Sequence, residues 1–149
     1  MMKFIIALTF LLIVSNVSAF WGPCAGVPSP EWVTSPLCDA VRCTVSRGGT
    51  LVAQAQYTSP RSHNELIVRF TAFLLGLPVV LPSSPGFEDA CTQLANGITC
   101  PTPANVPLIW DMNSPIPTAV PAFDNASVRV ELLENNQSVV CAMVTARIL

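Results

Sequence analysis

The chain has 149 residues, 51% hydrophobic and only 11% charged, with a formal net charge of −2. That length fits one domain, the apolar content excludes intrinsic disorder, and seven basic residues against nine acidic ones leave no positive field for a nucleic acid. All fourteen prolines lie beyond residue 22, which disfavours long helices there, because proline lacks an amide donor and clashes inside a helix.

The first segment reads as an address. Lys3 gives a positive start, Phe4–Val14 is apolar but for Thr9, and Val17-Ser18-Ala19 offers small residues at a cleavage point. This is the layout of a secretory signal peptide over residues 1–19. The apolar run is too short to cross roughly 30 Å of hydrocarbon, which takes about 20 residues. The mature domain is then residues 20–149. It keeps six basic residues, all arginine, and a net charge of −3.

Six cysteines in a secreted chain argue for three disulfides. Cys38 and Cys43 are separated by four residues, Cys91 and Cys100 by eight, and prolines stand beside both pairs. Each pair reads as a stapled loop, which leaves Cys24 for Cys141. A zinc site built from the two local pairs is disfavoured, because these spacings do not match the usual knuckles.

The rest reads as short strands in chain order, each with the period-two alternation of a half-buried strand. Glu31–Thr34 is a weak candidate. Gly48-Gly49 suits a tight turn before Leu51–Tyr57, in which Leu51, Ala53, Ala55 and Tyr57 face inward and Gln54 and Gln56 outward. His63 follows in a polar Ser-His-Asn-Glu segment and is expected to be solvated. Leu66–Leu74 puts Leu66, Val68, Phe70, Ala72 and Leu74 on one face, with Arg69 and Thr71 on the other. Glu88-Asp89 reads as a solvated corner. Leu108–Trp110 is weak, whereas Val128–Leu132 alternates cleanly. Val140–Ile148 sets Val140, Ala142, Val144, Ala146 and Ile148 against Cys141, Thr145 and Arg147. Asn125-Ala126-Ser127 and Asn136-Gln137-Ser138 are sequons for glycosylation at Asn125 and Asn136.

Six or seven short strands between proline-rich turns predict an all-β fold, a sandwich of two antiparallel sheets. Gly-x-Ser-x-Gly, His-Glu-x-x-His and phosphate-loop patterns are all absent from the sequence. With the cysteines bridged, no nucleophile and base are set side by side, so the chain reads as a binding protein rather than an enzyme, with no metal and no cofactor. The many small inward residues either let the sheets approach or leave a dry cavity for an apolar ligand.

The ordered set of motifs resembles the ML family of secreted lipid-recognition domains, and within it the soluble Niemann–Pick type C sterol carriers and their arthropod relatives. The residues that carry the resemblance are Ser35-Pro36-Leu37-Cys38 and Cys43-Thr44-Val45-Ser46-Arg47-Gly48, Tyr57-Thr58-Ser59, Leu74–Pro82, Cys100-Pro101, Val120-Pro121 and Asn136–Cys141. The resemblance implies an immunoglobulin-like sandwich splayed around a lipid pocket, with the pairings Cys24–Cys141, Cys38–Cys43 and Cys91–Cys100. It implies a pocket mouth at Leu81, Ile116, Val120 and Pro121, and walls at Phe70, Leu74, Val79, Trp110, Val140, Ala142 and Val144. The carriers have aromatic residues where this chain has Leu81 and Val120, so a differently shaped mouth follows. It also implies that Leu75-Gly76-Leu77 meets a membrane-protein acceptor or receptor. The expected function is a monomeric carrier of sterol or a related apolar lipid, outside the cell or in the endosome–lysosome lumen. Recognition of microbial lipids for innate immunity and carriage of small apolar semiochemicals are the alternatives. The lack of lysine in the mature chain speaks against phosphorylated ligands, whose recognition calls for cations.

Overall fold

Side chains alternate across a strand, so a strand buries one face and wets the other. In the computed structural model, which describes residues 20–149, that alternation builds two facing sheets. The leader expected over residues 1–19 lies outside the described residues. In chain order the strands are β1 (Trp21–Pro23), β2 (Trp32–Thr34), β3 (Cys43–Val45), β4 (Thr50–Thr58), β5 (Ile67–Leu74), β6 (Leu77–Val80), β7 (Pro107–Pro115), β8 (Phe123–Glu134) and β9 (Gln137–Ile148). A 3-10 helix, Ala90–Gln93, sits between β6 and β7. Asp89 caps it, accepting the Cys91 N–H at 3.0 Å. Glu88 and Asp89 are exposed, as expected, and Asp89 adds this capping role.

The larger sheet runs β1-β9-β8-β5-β6, and the smaller runs β2-β4-β7. All pairings are antiparallel except β3, which lies parallel to the end of β9, with Cys43 opposite Ala146 and Val45 opposite Ile148. The fold is therefore the two-sheet sandwich predicted, with short extra strands β1, β3 and β6 that alternation alone does not reveal. β7 extends well beyond Leu108–Trp110, and prolines stand at both its ends, where a missing amide donor costs the ladder least.

Two hairpins turn on residues with left-handed backbone. Asn135 and Asn136 (φ 51 and 61) join β8 to β9, the two-residue turn that asparagine accommodates best. Leu75 and Gly76 (φ 51 and 79) join β5 to β6. Here a fully exposed leucine occupies a conformation that costs an ordinary side chain energy.

Three disulfides staple the frame: Cys24–Cys141, Cys38–Cys43 and Cys91–Cys100. The first joins the N-terminal segment to the middle of β9. No cysteine lies on β2, β4 or β7, so no disulfide ties a strand of one sheet to a strand of the other.

Candidate functional site

The inward rows of both sheets face each other across a gap. β4 contributes Leu51, Ala53, Ala55 and Tyr57, and β7 contributes Leu108, Trp110 and Met112. From the larger sheet come Phe70 of β5, Val128, Val130 and Leu132 of β8, and Val140, Ala142, Val144, Ala146 and Ile148 of β9. Register sets small residues against large ones. Ala55 is opposite Trp110, Ala53 opposite Met112, and Ala142 opposite Val130. Each alanine withholds the volume that a larger residue would fill, and an apolar cavity of about 180 Å³ results.

Polar groups near this cavity are turned away or satisfied. The Trp110 indole N–H donates to Gln93 Oε1 at 2.8 Å, pinning the ring to the 3-10 helix. Glu131 is nearly inaccessible, and its carboxylate is covered on the outer face by Arg69 (Nη2 to Oε1, 2.7 Å) and Arg129 (Nε to Oε2, 3.4 Å). An unpaired charge in such an interior would be costly, and both arginines keep Glu131 neutralised outside the gap.

Of the residues expected at the mouth, Leu81, Ile116 and Val120 border the cavity and are buried. They pack in one cluster with Val128, Ala146 and Ile148. The β3–β4 turn braces this end, with the Gly48 N–H donating to Ile116 O at 2.8 Å and the Ile116 N–H to Gly49 O at 2.8 Å. Pro121 stands outside the lining, because its neighbour Val120 takes the inward side. Of the expected walls, Phe70, Trp110, Val140, Ala142 and Val144 line the cavity, whereas Leu74 and Val79 do not. Leu74, opposite Leu77 at the β5–β6 hairpin, packs against the cluster of Leu81, Ile116 and Val120, and Val79 lies on the edge strand opposite Ala72. The sequons place Asn125 and Asn136 on the surface, both exposed.

His63 overturns the expectation of a solvated ring: it is 1% exposed and borders the closed end of the cavity. Its Nδ1 lies 3.2 Å from Glu134 Oε1, and its Nε2 lies 2.7 Å from Ser59 Oγ. A carboxylate only accepts, so the Nδ1–H donates to Glu134, while Nε2 and the Ser59 hydroxyl share the second hydrogen bond. Glu134, 71 positions away, also accepts from Arg61 Nη1 at 2.9 Å and from the Asn64 N–H at 2.7 Å. No local pattern in the sequence announces such a distant partner. The polar run around His63 folds inward because β8 ends there with a carboxylate.

Burial pushes the Glu134 carboxyl up, but the Asn64 N–H, the His63 ring and the Glu65 N–H outweigh it and hold the group below its usual 4.5. A carboxylate held low in the folded state adds stability that is complete above its ordinary value and drains away as pH falls through the lower folded one. Glu134→Gln should therefore destabilise the domain at neutral pH and flatten its loss of stability on acidification. Urea midpoints for both proteins, measured at neutral pH and at about pH 3, check this.

The sandwich with an apolar gap between its sheets defines a class of β domain with an internal cavity. The chain belongs to the ML-domain family of lipid-binding domains, whose family model matches residues 19–148. Among solved structures it is similar to a Niemann-Pick type C2 protein from Japanese carpenter ant. The two are 18% identical with a TM-score of 0.72, over 87% of this chain and 98% of that one. At this identity the likeness speaks to the fold, which it identifies as immunoglobulin-like. No curated protein matches the chain in sequence.

Proposed function

We propose that this protein is a secreted carrier that holds a sterol or a related apolar lipid between its two sheets. The observation that carries the reading is the apolar cavity between the inner faces, in a domain of a lipid-binding family. Three disulfides suit an oxidising compartment, and the leader of residues 1–19 would deliver the chain there as a monomer, with sugars on Asn125 and Asn136. Burial supplies about 25 cal/mol per Å² of apolar area, less the cost of ordering the ligand. With few polar groups on the walls, shape decides which lipid is held.

A cavity of about 180 Å³ is close to an engineered one of about 150 Å³ that takes benzene. A larger lipid is admitted by the sheets moving apart. No disulfide joins a strand of one sheet to a strand of the other, which leaves the strands themselves unstapled across the gap. Mass spectrometry of lipid extracted from the purified secreted protein tests the reading. A stoichiometric apolar lipid is the expected result, and an empty protein that also takes up no fluorescent sterol would overturn it.

The β5–β6 hairpin supplies the surface for an acceptor or receptor. Leu75, Leu77 and Val80 are exposed there, beside the outer edge of the sheet. A solvent-facing apolar group of this kind is a feature of interaction sites. Leu75→Asn together with Leu77→Thr should leave sterol binding within about twofold and slow delivery to an acceptor by tenfold or more, on the scale of a lost hot spot. Stopped-flow transfer to acceptor-bearing vesicles measures the second quantity. The asparagine also suits the left-handed backbone at position 75, so the melting temperature should hold or rise.

A further inference from the structure

The closed end of the cavity contains a polar residue to which lipid carriage assigns no task. β4 starts at the mouth, where Gly49 is bonded to Ile116, and runs inward to Tyr57. At that inner end the lining includes Tyr57, Leu66, Leu108, Leu132 and His63. Both nitrogens of the His63 ring are engaged by Glu134 and Ser59, so the ring has no free donor or acceptor to offer a ligand. Toward the surface lies a second hollow, polar in character, bordered by Arg61, Ser62, Asn64, Glu65, Glu134 and Asn135. Four of these flank His63 in the chain, and Glu134 is its hydrogen-bond partner. His63 thus lines the apolar cavity, while its chain neighbours and its partner Glu134 border the polar hollow.

The ring is held from several directions. The His63 N–H donates to Thr102 Oγ1, and the Thr102 N–H donates to His63 O, each at 2.9 Å. Arg61 and Asn64 fasten the Glu134 carboxylate that holds Nδ1. A hydrocarbon tail pushing past the ring would break these bonds and offer none in return, leaving buried polar groups unsatisfied.

We propose that His63 is the inner stop of the cavity, a specificity-determining residue that sets how long a tail the ligand can bury. This rests on the carrier reading above, and it names the favoured ligands as neutral lipids whose apolar end stops at the ring. The test is displacement of N-phenyl-1-naphthylamine from the full mature protein by straight-chain alcohols from octanol to docosanol. Each added methylene that is buried improves affinity about fourfold, so affinity should climb with length and then level off where the tail meets the ring. His63→Ala frees the space that the ring fills at this end of the cavity, and the plateau should shift by two or more carbons. The first alcohol beyond the wild-type limit would then gain about fourfold, and the second about fifteenfold, over that limit. His63→Phe keeps the bulk without the nitrogens, and the limit should stay. If His63→Ala does not fold, His63→Asn, shorter but still able to hydrogen-bond, should shift the limit by at least one carbon.

An unchanged limit in the folded smaller variant overturns the stop, as does an equal shift in His63→Phe. Failure of every alcohol to displace the probe from wild type instead overturns the carrier reading, and the stop with it. The two failures are therefore told apart.

Discussion

Val120→Trp should abolish uptake of a fluorescent sterol while leaving the domain folded. Val120 is 4% exposed, packs with Leu81 and Ile116, and borders the cavity where the family resemblance puts its mouth. Adding bulk to a filled core costs about 1–3 kcal/mol, because neighbours are forced off their preferred rotamers. Here the added ring has a void beside it, so the cost falls toward the low end. For a domain of this size about 1 kcal/mol corresponds to roughly 4 °C of melting temperature. Binding has no such relief, since the indole takes the space that a ligand needs. A sterol titration beside a thermal melt separates the two effects. Unchanged uptake would place the mouth elsewhere.

Cys24→Ala combined with Cys141→Ala should be the most destabilising change in the molecule. This bridge spans 117 positions, whereas Cys38–Cys43 spans only 5. Restricting the unfolded chain over so long a loop is worth about 5 kcal/mol on the chain-entropy model, against about 2 for the short one. Domains of this kind have only about 5–15 kcal/mol in all. The double variant should therefore be largely unfolded at 37 °C, while Cys38→Ala with Cys43→Ala should remain folded with a lowered urea midpoint. Equal midpoints for the two would show that local strain, rather than loop length, governs these bridges.

The strand faces were legible because burial acts with period two. Leu51, Ala53, Ala55 and Tyr57 in β4, and Val140, Ala142, Val144, Ala146 and Ile148 in β9, border the cavity on the face that alternation assigns them. The disulfide partners were legible from spacing. The three-residue strands β1 and β3 were not, because a stretch of that length has too few residues to show a period. Their pairing is owed to β9, more than a hundred positions later in the case of β3. His63 was misread for a related reason: its burial depends on Glu134, Ser59 and Thr102, which a local polar run does not disclose. Leu74, Val79 and Pro121 were assigned to the pocket by family resemblance and not by alternation, and they are not among the residues that line the cavity here.

β9 has three strand partners, β8 along its length and β1 and β3 on its other edge, and it is the last of the described strands to leave the ribosome. Chains are made from the N-terminus, so β1, β3 and Cys24 are all synthesised long before the strand that receives them. During that interval Cys24 has Cys38, Cys43, Cys91 and Cys100 within reach, but not Cys141. On the proposed secretory route, any staple formed early on Cys24 is a wrong one and must be undone by thiol–disulfide exchange. Cells poor in disulfide isomerase should yield this protein as mispaired, retained material, even with its sequence intact.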